Sequence, residues 1–425
     1  METRAFLRHK ILSLAARARR LAQIEGESVG LRPQDRVYAP SPAHFRAANH
    51  RLAEIDTHIL NRLTHLRSTW QRAPYQQVLV DIALVEREID RARRLFGLFF
   101  EVFAQRGTAF APALAAFDTI ATDCYTAIRQ AAPGTLRGPV LKPVCYMEHG
   151  FSPATMRRGV MMSRLLGEPN PFPLIRIPWD RDNPWQPVFL HEVAHNLQAD
   201  LGIWQENRQA VLRRILASSR DLMLARIYGR WHKEIFADLA AILLGGPAAA
   251  WGMANFLAHP AARTLTFRPG SAHPTAYLRV LILAEMLRRL GFGRDADRLT
   301  RVWNRLYRVD GGHRLPQRLL ASSGSIIPQV VDEIAFQTRR NLAHRALADV
   351  LPFTLEDEAE IKAAGRRIAA GERPPPLAPR FMVSAALYAL ESGQIHPRDL
   401  SSRVVRALNE PRPQTGRLLL PTRAA

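Results

Sequence analysis

The chain has 425 residues, 47% of them hydrophobic, which is enough apolar content for two or three domains with buried cores. It carries 59 Lys and Arg against 38 Asp and Glu, a formal net charge of +21, and only Lys10, Lys142, Lys233 and Lys362 are lysines. The two cysteines, Cys124 and Cys145, exclude a disulfide framework and a cysteine-rich metal cluster, and Met1–Lys10 lacks the apolar run of a secretory signal, so the expected location is cytoplasmic, or exported by a non-classical route.

Residues 1–132 read as a helical region: Arg51–Arg67, Gln76–Arg106 and Ala111–Ala131 show helical periodicity with charged outer faces, punctuated by Pro33, Pro40-Ser41-Pro42 and Pro74. Ala132-Pro133-Gly134 is a turn and a natural boundary. In the next region, 133–310, Met161-Met162 reads as core and Asn170-Pro171-Phe172-Pro173 as a turn. Leu174–Ile177 is a short, partly β-branched strand bounded by prolines, expected at a sheet edge, where an extended peptide could pair with it or where it merely closes a small sheet. Asn183 is expected to cap the following helix, with Pro184 at its first position and Gly202 at its end. A later helix has Ile235, Leu239, Ile242 and Leu243 on one stripe. Gly291-Phe292-Gly293 is too bare for a phosphate loop. The last region, 311–425, reads as helical over Arg314–Leu351 and Leu355–Ala370, then a stiff Arg373-Pro374-Pro375-Pro376 linker, short helices over Phe381–Leu390 and Asp399–Leu408, and a loose tail from Pro411.

The chemistry concentrates in Val188–Leu197, which contains His191-Glu192-Val193-Ala194-His195. On a helix, residues four apart share a face, so His191 and His195 can offer two imidazoles to one metal ion, with the Glu192 carboxylate one residue round as a base. The continuation H-x-x-G-x-x-H is missing, since Gln198 and Leu201 stand where its glycine and histidine would be, so the third ligand must come from elsewhere. Glu234 and Asp238 lie four apart beside the apolar stripe of the later helix. Two carboxylates there need compensation, which a metal for Glu234 and a histidine N–H for Asp238 would supply; otherwise they form a solvated acidic pair facing Lys233 or Arg230.

H-E-x-x-H, then Glu234-Ile235-Phe236-Ala237-Asp238, then His273-Pro274-Thr275-Ala276-Tyr277-Leu278-Arg279 form an ordered triple that resembles the gluzincin zinc metallopeptidases, most closely the branch with the CAAX prenyl endopeptidases and HtpX-like proteases. The resemblance covers about Pro171–Arg279, roughly a quarter of the chain. It implies that His191, His195 and Glu234 bind Zn2+, that Glu192 is the general base, and that Asp238 orients a ligand histidine. It further makes His273 a candidate to stabilise the oxyanion and Arg279 a candidate to brace the acidic cluster. Tyr228, His232 and Tyr277 are weaker oxyanion candidates.

The implied fold is mainly α (α+β): a zincin-like domain over 133–310, with a small sheet and an edge strand, flanked by helical N- and C-terminal regions. The implied partner is a protein or peptide substrate. Membrane topology does not carry over, because the best apolar window, Leu239–Ala258, is broken by Gly245-Gly246-Pro247 and contains Asn255. The arginines are expected on solvated helix faces, with an anionic partner as the functional alternative; no nucleic-acid motif accompanies them. The competing readings are a non-catalytic zincin-like scaffold and a basic protein that binds nucleic acid or an anionic surface.

Overall fold

In the computed structural model the described residues are 2–21, 23–136, 141–150, 154–158, 170–180, 183, 186–309 and 314–410. Met161-Met162, Pro184 and the tail from Pro411 lie outside them.

Apolar residues three and four apart set the first helices. α1 (Thr3–Arg19) buries Leu7, Ile11, Leu14 and Ala18; α2 (Pro42–Thr69) buries Leu52, Ile55, Ile59, Leu63 and Leu66; α3 (Tyr75–Ala104) buries Val78, Ile82, Val85, Ile89, Phe99 and Phe103. These side chains form one core with Val144, Tyr146, Phe172 and Leu174. α4 (Ala111–Ala131) turns Leu114, Phe117, Ile120, Cys124 and Ile128 into a second core, which runs on to Leu408 and includes the helices of the histidine motif. The two cores therefore do not follow the boundaries at 132 and 310: α4 packs with what comes after it, and the C-terminal helices share the core of the central region.

Three strands make one mixed sheet: β1 (Val144–Met147), β2 (Ala154–Met156) and β3 (Leu174–Ile177), in the order β1-β3-β2. β3 pairs in parallel with β1 (Val144 opposite Leu174) and antiparallel with β2 (Thr155 opposite Ile175). Leu174–Ile177 is thus the central strand and not the expected edge. The reason is local: Pro173 and Pro178 stand just outside the strand, so all four of its own N–H groups can join ladders, and the Pro173 carbonyl even accepts from Val144 N at 3.0 Å. The outer side of β1 is closed by side chains. Gln105 donates to Met147 O (2.8 Å) and accepts from Met147 N (2.7 Å), Asp118 accepts from Cys145 N (2.8 Å), and buried Arg106 donates to Cys145 O (2.6 Å). β2 carries the remaining edge and lies against the next helix.

That helix, α5 (Val188–Leu201), starts at Pro187 and ends at Gly202, whose φ of 65° is left-handed. Asn183 does not cap it. A turn bonded from Gln186 N to Asn183 O (3.3 Å) intervenes, and the Asn183 side chain accepts from Ser401 instead. α6 (Trp204–Ser219) leads to α7 (Leu222–Leu257), capped by Asp221, whose carboxylate accepts from Met223 N (2.9 Å) and Leu224 N (3.1 Å). Among the described residues α7 is the one helix long and apolar enough to cross a membrane, and 94% of its apolar window is buried inside the protein.

Then follow α8 (Ala261–Thr264), α9 (Ala276–Arg289), α10 (Gly293–Leu306), α11 (Gln317–Val331), α12 (Leu347–Val350), α13 (Leu355–Ala369), α14 (Pro379–Glu391) and α15 (Pro397–Asn409). The stretch Arg314–Leu351 is not one helix. It breaks after Phe336, where buried Arg339 donates to Asn207 (2.7 Å) and Glu333 (3.0 Å), and where Ala343 and His344 take left-handed φ of 52° and 58°.

Within α7 the helix is interrupted at Gly246, with φ 66° and ψ −156°, a region essentially reserved for glycine. Pro247 follows it, and Ser384 on α14 donates to the Gly245 carbonyl at 2.6 Å. A Cβ on residue 246 would stand 2.1 Å from Phe353 Cζ. Gly246→Ala combines backbone strain with overpacking and should lower the unfolding free energy by about 3 kcal/mol or more, read from the urea midpoint at unchanged m-value.

Candidate metal centre

α5 and α7 pack in opposite directions, so the end of one meets the start of the other: His195 meets Glu234, and His191 meets both Glu234 and Asp238. The two imidazoles on the shared face of α5 have ring centroids 4.6 Å apart and are nearly perpendicular, at 82°. His191 Nε2 lies 3.4 Å from Glu234 Oε2, and His195 Nε2 lies 3.3 Å from Glu234 Oε1. One donor atom from each of the three residues can be chosen so that all lie within 4.8 Å of one another, and all three side chains are buried.

The second nitrogen of His191 is held. Nδ1 stands 2.9 Å from Asp238 Oδ1, which leaves Nε2 to face Glu234. Asp238 in turn is gripped by Arg279 of α9, whose Nε and terminal nitrogen donate to its two oxygens at 2.5 and 2.7 Å. The same guanidinium is 3.8 Å from Glu234 Oε2. His273, in the loop before α9, reaches the cluster from the solvent side: its Nε2 is 3.5 Å from Glu234 Oε2, and its side chain is 65% exposed. Its backbone is pinned by Ser271, whose hydroxyl accepts from His273 N and donates to His273 O, both at 3.1 Å.

Burial and charge pull these groups apart in proton affinity. Burial, helped by Glu234, pushes the Glu192 carboxyl up to about 7, against the opposing pull of His191, Arg279 and Arg176. At His191 burial disfavours the charged ring, but the Asp238 charge and hydrogen bond, with Glu234, outweigh it and hold the pKa up to about 9. His195 is pushed down to about 4 by burial and by His191, despite Glu234. Glu234 and Asp238 stay ionised below the usual carboxylate range: burial opposes this, while the two histidines outweigh it at Glu234, and Arg279 and His191 at Asp238.

This donor set fits zinc. Two imidazole nitrogens and a carboxylate oxygen are its common ligands, and two ligands each about 2.0–2.1 Å from one tetrahedral ion lie roughly 3.4 Å apart. One donor atom from each of the three residues, all within 4.8 Å of one another, stands close enough to be reached by a single ion.

The structure brings together His191, Glu192, His195, Glu234, Asp238, His273 and Arg279. The weaker oxyanion candidates are engaged elsewhere or buried away. Tyr277 donates to Asn304 on α10 at 2.9 Å, His232 Nδ1 bonds the Gly229 carbonyl of its own helix at 2.8 Å, and Tyr228 is fully buried edge-on against Trp231. Two arginines absent from the sequence reading act on the site: Arg176 of β3 on Glu192, and Arg157, just after β2, on His195. Arg176 is the one charged residue of Leu174–Ile177, a signal visible in the sequence; Arg157 offers none. No family model, curated protein or solved structure matches this chain.

Proposed function

We propose that this protein is a zinc-dependent peptidase of the gluzincin type. The observation that carries the reading is the convergence of His191, His195 and Glu234 on one buried point, with a fourth residue, Glu192, buried beside them and committed to no ligand role. Zinc, when bound by these three residues, would supply a Lewis acid that polarises the scissile carbonyl and lowers the pKa of water.

The chain's own residues do the rest. Glu192, with its pKa raised to about 7 by burial, is suited to take a proton from the attacking water and hand it to the leaving amine. Asp238 fixes the tautomer of His191, so that Nε2 is the nitrogen presented, and Arg279 keeps Asp238 ionised and oriented. His273 is exposed on the open side of the cluster, where a substrate's developing oxyanion would need a donor. The edge suited to an extended peptide is β2, which lies against α5, and not the central β3.

The test is direct. Purified protein loaded with zinc is incubated with a library of unstructured peptides, and new termini are identified by mass spectrometry, with and without 1,10-phenanthroline. Chelator-sensitive cleavage supports the reading; intact peptides with stoichiometric zinc would leave the scaffold. His273→Ala should keep its zinc and lose about 10²-fold in kcat, the usual size of an oxyanion donor. A change confined to KM would remove His273 from that role.

A further inference from the structure

α10 carries a row of arginines that no contact within the fold accounts for. Arg294, Arg298, Arg301 and Arg305 follow one another at steps of four, three and four residues. At about 100° per residue those steps keep all four within about 60° on one face of the helix. The opposite face, with Ala296, Leu299 and Trp303, is buried in the core. All four arginines are exposed, and at about 1.5 Å per residue the row is roughly 16 Å long.

On other helices arginines stand beside an acid three residues away: Arg51 with Glu54 (2.6 Å), Arg93 with Asp90 (2.7 Å) and Arg288 with Glu285 (3.4 Å). On α10 no such pair forms. Asp297 is taken by Arg288 of α9 at 2.9 Å, and Asp295 pairs with none of the four. Among the described residues the four arginines have no ion pair and no hydrogen bond; Arg298 lays its guanidinium over Trp251, 5.3 Å from the ring centroid. Like charges three and four residues apart repel, so the row by itself costs the helix stability. Arg294 adds to that cost, because it stands in the first turn, at the positive end of the helix dipole.

Such a row fits a line of anions. Each strand of a nucleic-acid duplex carries one phosphate per about 3.4 Å of axis, so the row can lie beside about five of them. The guanidinium forks suit phosphate oxygens. A lipid surface fits less well. The exposed apolar side chains of α10, Val302 and Leu306, lie roughly a quarter to a third of a turn from the centre of the row, and none stands within it.

We propose that this face of α10 docks on the phosphate backbone of a nucleic acid. α10 is tied to α9 through Tyr277, whose hydroxyl donates to Asn304 at 2.9 Å, and α9 also carries Arg279 of the candidate centre. The docked protein therefore holds that centre one helix away from the nucleic acid. The inference stands apart from the peptidase reading and needs no turnover.

The experiment uses the full wild-type chain with a fluorescein-labelled DNA duplex of about 20 base pairs and with its single strand, read by anisotropy across a range of NaCl concentrations. Arg298→Gln, Arg301→Gln and Arg305→Gln together remove three phosphate contacts. The slope of log K against log salt should flatten by about 2.7 for the duplex and about 2.1 for the single strand, and binding at about 0.1 M salt should weaken on the order of 10²-fold. The same three positions changed to Lys should keep the slope, because the charge stays. Arg213→Gln, Arg214→Gln and Arg226→Gln, exposed on α6 and α7, remove as much charge elsewhere and should change the slope by less than about one.

Equal flattening by both glutamine triples would mean diffuse attraction by the net charge of +21 and would overturn the docking face. Flattening by the lysine triple would overturn it as well. So would the absence of binding to either nucleic acid at about 0.1 M salt, including the case in which vesicles of phosphatidylserine and phosphatidylcholine bind instead.

Discussion

Glu192→Gln should hold as much zinc as the wild type and lose about 10²–10⁴-fold in kcat, whereas Glu234→Ala should lose both zinc and activity. The difference follows from position. Glu234 Oε1 and Oε2 each face one imidazole nitrogen, at 3.3 and 3.4 Å, so its carboxylate completes the donor set. Glu192 sits one residue round α5 from His191, buried but without a hydrogen bond to either histidine, and its amide replacement keeps the shape while removing the proton acceptor. Metal content by mass spectrometry at equal protein concentration, beside turnover of a cleaved peptide, separates the roles. Full activity in Glu192→Gln would end its assignment as base.

Arg279→Met should destabilise the protein by about 3–5 kcal/mol, because it strands a buried carboxylate. Asp238 is 1% exposed, and Arg279 supplies both of its bidentate bonds, leaving His191 as the other cation against it among the described residues. The pH dependence has a definite sign. Arg279 and His191 hold the Asp238 pKa below its unfolded value, so this stabilisation is present above the unfolded carboxylate pKa of about 3.9 and is lost as pH falls below it. In the variant, burial without Arg279 favours the protonated acid. The gap between wild type and variant should therefore be widest at neutral pH and narrow towards about pH 4. Denaturation with chelator present, so that zinc loss does not enter, measures it. Arg279→Met combined with Asp238→Asn should cost less than the single change, since the second substitution removes the stranded charge.

The sites most legible in the sequence were those fixed by a single helix. His191 and His195, and likewise Glu234 and Asp238, are four residues apart, and helical geometry alone puts each pair on one face. What joins the two pairs is the packing of α5 on α7, which only the apolar stripe hinted at. The mainly helical class with a small sheet was legible for the same reason, because periodicity is local. Strand placement was not. Leu174–Ile177 reads the same at an edge or in the centre, and its neighbours β1 and β2 come from segments well upstream whose own patterns are three or four residues long. The start of α5 was misplaced because Asn183 and Pro187 both suit a helix entry, and the choice fell to a tertiary contact with Ser401. The division into cores was hidden because α4 resembles the helices before it, yet packs with those after it.

The shared core also sets an order of events at the ribosome. A nascent chain that has emerged as far as Arg279 already contains every residue of the candidate centre, but not α14, whose Ser384 takes the Gly245 carbonyl, nor Phe353, which fills the space at Gly246. Until those arrive, the stretch of α7 around Gly245 and Gly246 lacks part of its cover, and apolar surface left open there is what chaperones shield. The helix that carries Glu234 and Asp238 therefore finishes its packing only after residues well beyond Arg279 have been made.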